Sequence, residues 1–108
     1  IMDEREEVIK RNISNTIENY IKGQQSVSVD SNSVNITGEI ENFIFENNSW
    51  SSFYNEKGES IKNIKGKVRL YECRDGKISL DLEFTVACEW TDKHHEDIYV
   101  HGISFSKK

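Results

Sequence analysis

Imidazole and carboxylate are the donors that divalent transition metals favour, and one run supplies both: Asp92-Lys93-His94-His95-Glu96-Asp97. Adjacent histidines on a loop rarely reach one ion together, and no third histidine follows at ligand spacing. His101 would join them only if the chain curled back. The run therefore reads as a solvated polar loop, and no metal or cofactor is assigned. Nucleophilic catalysis would need Cys73 or Cys88 beside His101, oriented by a third group, and no local signature supports it. The glycines are isolated from one another, so no phosphate-cradling loop exists. No catalytic residue is assigned, and the chain reads as a non-enzyme.

Aromatic residues are the remaining candidates. Trp50, Phe53 and Tyr54 stand together in a segment rich in Ser and Asn, and Trp90 abuts the acidic run. Tryptophan and tyrosine suit binding surfaces because they bury large area at low entropic cost, but they also serve as lids on small cores. The candidate partner-binding set is Trp50, Tyr54, Trp90, Asp92, His94, His95, Glu96 and Asp97.

Charge points the same way. Lys and Arg number 14 against 19 Asp and Glu, a net of −5. An acidic domain repels phosphate backbones, which disfavours nucleic acid and favours a basic protein partner. Acids outnumber cations most clearly in segments 24–60 and 78–99. These features point to a protein-binding module of the inhibitor or immunity type that masks a basic protein. Two other readings compete with it. One is a small-molecule binder or small enzyme with a pocket lined by Tyr20, Tyr99 and His101. The other is a homo-oligomeric subunit pairing through Ile98 and Val100 or an open sheet edge. No apolar run is long enough to span a membrane, and no signal-peptide core is present, so a cytoplasmic protein is expected. An exported origin stays compatible with a trimmed N-terminus.

Elements must position these residues. The 108-residue length suits one domain, and the fold class expected is α+β: one N-terminal amphipathic helix on a curled antiparallel sheet of five to six strands. Ile9, Ile13, Ile17, Tyr20 and Ile21 recur at spacings of three and four, predicting a helix over about 3–22. Asp3, Glu4, Glu6 and Glu7 favour its start, and Lys22-Gly23 its end. From Gln24 onward the period becomes two. Strands are expected over 26–30, 33–37, 39–46 and 49–55, with Asn47-Asn48 as a hairpin turn that sets Phe45 opposite Trp50.

The hairpin over 61–90 can be argued to a register. A two-residue turn at Asp75-Gly76 would put Lys67 and Arg69 on the core face, which is rejected. A three-residue loop, Arg74-Asp75-Gly76, instead sets Val68 against Leu82 and Leu70 against Leu80. It also sets Lys67 against Glu83 and Arg69 against Asp81, and Gly66 under Phe84. The basic stretch 61–77 then reads as a charge-matched solvated face rather than a phosphate stripe. Cys73 and Cys88 lie too far apart along it for a disulfide. In the last strand, about 97–105, Ile103 and Phe105 are expected inward. That parity turns Tyr99 and His101 inward and Ile98 and Val100 outward, unless a bulge at Gly102 reverses it.

Overall fold

The computed structural model describes residues 3–108. An N-terminal helix, α1 (Glu4–Lys22), precedes a short strand β1 (Ser26–Val29) and a long one, β2 (Asn32–Phe45). A second helix, α2 (Asn47–Asn55), leads to β3 (Lys62–Cys73), β4 (Lys77–Trp90) and β5 (Ile98–Lys107). The five strands form an antiparallel meander that closes into a barrel through a parallel β1–β5 contact at Val29 and Phe105. The expected α+β class is thus observed, with a small second helix added.

α1 begins where Asp3 accepts a hydrogen bond from the Glu6 amide at 2.7 Å, and Glu4, Glu6 and Glu7 follow at the positive end of its dipole. Ile9, Ile13, Ile17 and Ile21 all lie buried on one stripe. Their place follows from the strand lengths. β1 pairs with β2 only along 32–35 and meets β5 only at Phe105, so the rest of the β2 and β5 edges face each other across a gap. α1 packs against both strands and fills that gap. It covers edges that would otherwise template aggregation.

β2 bends to make this possible. The reading of two strands over 33–37 and 39–46 is corrected to one strand interrupted by two register shifts against β3. Gly38 (φ 88°) and Asn42 (φ 55°) occupy the shifts in the left-handed region, which Gly and Asn tolerate best. The second bulge lets both Phe43 and Phe45 approach the core, 4.9 and 6.3 Å from the Phe84 ring.

The segment 49–55 expected as a strand is instead helical, and Asn47-Asn48 opens α2 rather than a hairpin. Trp50, Phe53 and Tyr54 sit at i, i+3 and i+4, a helical face, and the Glu46 carboxylate caps the Asn48 amide at 3.1 Å. Phe45 and Trp50 do meet, as parallel rings 5.4 Å apart, but across a strand–helix corner.

The β3–β4 register is as argued: Val68 pairs with Leu82, Leu70 with Leu80, Lys67 with Glu83 and Arg69 with Asp81. Gly76 takes φ 107° in the three-residue loop. Cys73 and Cys88 are free, at opposite ends of the hairpin. In β5 the bulge alternative holds. One extra residue between Val100 and Gly102 reverses the parity, so Ile98 and Val100 are buried while Tyr99 points outward.

Gly66 lies under Phe84 and beside Phe45. A Cβ there would come within 2.5 Å of Phe84 Cζ and closer still to the Ile44 carbonyl oxygen. Overpacking of this kind costs about 1–3 kcal/mol. Gly66→Ala is therefore expected to lower the urea midpoint without abolishing folding; an unchanged midpoint would show that β2 yields freely at Ile44.

Candidate functional site

Three separate stretches of sequence converge at one end of the barrel: the first turns of α1, the whole of α2, and the β4–β5 loop at 91–97. Arg5 Nη2 donates to Glu96 Oε1 at 2.5 Å, and Asn12 Nδ2 donates to the Glu96 carbonyl at 3.0 Å. Trp50 Nε1 donates to Glu6 Oε2 at 3.0 Å. These contacts pin the helix start to both neighbours. Most of the candidate partner-binding residues fall at this one end.

Their roles differ. Trp50 is 1% exposed and belongs to the core, so its indole is not a contact surface. Trp90 is 7% exposed and stacks on Phe53 with ring centroids 4.6 Å apart. Its Nε1 is buried without an acceptor among the described residues. Tyr54 is half-buried, 5.7 Å from the Trp50 ring. Burial pushes its phenol pKa up, and the nearby Asp3 and Glu6 carboxylates push it further. Lys57, from the loop that follows α2, was missed as a candidate. Its ammonium lies 4.0 Å from the Tyr54 ring centroid and 5.5 Å from that of Trp90. No sequence spacing links residues 57 and 90, so only the fold could bring them together.

The loop is an internally bonded turn, not a free acidic finger. The Asp92 carboxylate accepts from the Glu96 amide at 2.9 Å and the Asp97 amide at 3.1 Å. His95 adopts φ 54° and sets its ring 5.8 Å from Trp90, edge to face. His94, Lys93 and Asp97 are exposed. Asp92 and Glu96 therefore hold the loop's shape, and Asp97 and His94 are its outward groups. Among the described residues, no group of three or more His, Cys, Asp or Glu gathers at metal-binding distance.

The competing sites are not assembled. Tyr99 is 57% exposed and packs edge to face on His101, whose Nε2 lies 3.0 Å from Glu89 Oε1. Both therefore sit on the outer face and line no space under α1. Cys88 is buried, and burial pushes its thiol pKa up to about 12, so it is no nucleophile. Ile98 and Val100 are buried and offer no pairing surface.

On the β3–β4 outer face Arg69 and Lys77 are matched by carboxylates. Arg69 forks onto Asp81 at 2.8 and 3.3 Å, which holds the Asp81 carboxyl below its ordinary pKa. Lys77 reaches Glu39 at 2.9 Å, and the Tyr71 hydroxyl donates to Glu41 at 2.6 Å. Among the described residues no helix is long and apolar enough to cross a membrane. No protein-family model, curated protein or solved structure matches this chain, so the site is read from its own geometry.

The amides of Glu96 and Asp97 hold the Asp92 carboxyl below its ordinary value of 3.8. A group with a lowered folded pKa stabilises the fold above its unfolded pKa, and that contribution fades as pH falls through the folded value. Protection of the 96 and 97 amides, measured against their intrinsic exchange rates, is thus expected to fall only below about pH 4. In Asp92→Ala it should be low at neutral pH as well. Equal protection in both proteins would remove Asp92 as the organiser of the loop.

An accessible thiol should separate from a buried one. Cys73 is exposed and Cys88 buried. A water-soluble disulfide reagent is expected to modify a single thiol in the native protein and both after unfolding. Rapid reaction of both in native conditions would show that the β4 core opens.

Proposed function

We propose that this domain is a non-enzymatic protein-binding module that masks a basic protein partner, in the manner of an inhibitor or immunity-type protein. The observation that carries this reading is the convergence of unbalanced negative charge at the α1–α2 end. Asp3, Glu4, Glu6 and Glu7 open α1, and Asp92, Glu96 and Asp97 face them from the loop that Arg5 ties down. Arg5, Lys10, Arg11, Lys57 and Lys93 oppose them, five cations against seven carboxylates. By contrast, Arg69 and Lys77 of the β3–β4 face are taken up by the Asp81 and Glu39 carboxylates.

Clustered like charge steers association with an oppositely charged surface, and aromatic side chains beside it supply contact area. Tyr54, His94 and His95 provide that area here, at the margin of a rigid corner. The inward turn of Trp50 and the packing of Trp90 on Phe53 restrict the aromatic contribution to exposed edges and faces.

The test uses exposed residues whose side chains make no hydrogen bond between elements among the described residues. Glu4 is exposed on α1, and the Asp97 side chain bonds only the next amide in the chain, that of Ile98. The double variant Glu4→Lys/Asp97→Lys is expected to fold normally. Recovery of a basic protein on the tagged domain from its native lysate should fall at least tenfold in this variant. Recovery by the unaltered domain should fall steeply with added salt. Equal recovery by both proteins would place binding elsewhere on the barrel.

A further inference from the structure

Lys57 is an unusual occupant of this corner. Its ammonium lies over the Tyr54 ring and within cation–π reach of Trp90, yet it forms no ion pair among the described residues. The nearby carboxylates have other duties: Asp3 caps α1 and Glu6 accepts from Trp50. Arg5 also borders Tyr54 but is itself paired with Glu96, so the two ring faces and the neighbouring carboxylates form an environment that favours a cation. Residues 57–60, which carry the present occupant, make no backbone hydrogen bond to the body of the domain among the described residues. A segment held so lightly can move aside without disturbing the barrel.

We infer that the Tyr54 and Trp90 faces are the seat for an arginine or lysine side chain of the basic partner, and that Lys57 fills this seat as an internal stand-in until the partner displaces it. The inference rests on the basic-partner reading and gives it an anchoring position. Charge complementarity selects the occupant: a ring face attracts cations and the bordering carboxylates exclude anions. Lys57 thereby acts as a competitor. It keeps the two faces covered in the free protein and lowers apparent affinity in proportion to its own occupancy.

A hexa-arginine peptide is the probe, and the indole N–H resonance of Trp90 is the reporter. Trp50 gives a second, separate signal because its indole is bonded to Glu6. In Lys57→Ala the seat is vacant, so the peptide should bind about threefold to tenfold more tightly than to the unaltered domain. It should shift the Trp90 signal more than that of Trp50. Adding Tyr54→Leu should cancel the gain, whereas Tyr54→Phe, which keeps the ring face, should retain it.

Two results would overturn the seat. One is peptide binding that is equally tight with and without Lys57. The other is a gain from Lys57→Ala that survives Tyr54→Leu. In either case salt-sensitive binding would leave the basic-partner reading intact, because the carboxylates alone would account for it. Absence of peptide binding to every variant at low salt would remove both.

Discussion

The structure depends on how its barrel is closed. A four-residue β1 covers only the far end of β2 and meets β5 at one residue pair, so strands alone leave the barrel open on one side. The buried isoleucine stripe of α1 fills that opening. An isolated helix of this length would be marginal in water, and an open sheet would expose both its interior and two unpaired edges. Each element therefore supplies what the other lacks. Ile13, Ile17 and Ile21 are fully buried because they occupy the place of a missing strand.

This arrangement also explains why the candidate site lies where it does. A helix used as a stave must have its ends fixed, or it would slide along the groove. The N-terminal end is fixed by Arg5 and Asn12 to Glu96, and by Glu6 to Trp50. Those bonds draw the β4–β5 loop and α2 toward the acidic first turns of α1. The charge that caps a helix dipole thus comes to lie beside the charge that shapes a loop. Their proximity follows from closing the fold.

Much of the scaffold was legible because independent constraints agreed. In the β3–β4 hairpin, apolar pairs on one face and opposite charges on the other selected the same register, and Gly76 supplied the turn. The α1 stripe was equally plain from its isoleucine spacing. The failures share a cause. Segment 47–55 is too short for its period to dominate, and its Ser and Asn residues suggested a turn and strand. The signal that would have found α2 was the i, i+3, i+4 placement of Trp50, Phe53 and Tyr54. In β5 the parity hinged on a bulge beside Gly102, which alternation alone does not place.

The site was legible as a set of residues but not as an arrangement. Trp90 and the acidic loop were recognisable by type; the contribution of α1 and the position of Lys57 were not, since they depend on contacts far apart in sequence. What matters at this end is how charge is distributed, not how much there is. On the β3–β4 face Arg69 and Lys77 each lie within ion-pair distance of a carboxylate, Asp81 and Glu39, while Lys67 stands across the pair from Glu83. Around α1 the carboxylates lie in adjacent turns and one tethered loop, and among the described residues only Glu96 of this set is taken up in an ion pair, with Arg5. A modest net charge is thus unevenly spread, and the aromatic faces of Tyr54 and Trp90 lie at the end where the carboxylates of α1 and the β4–β5 loop gather.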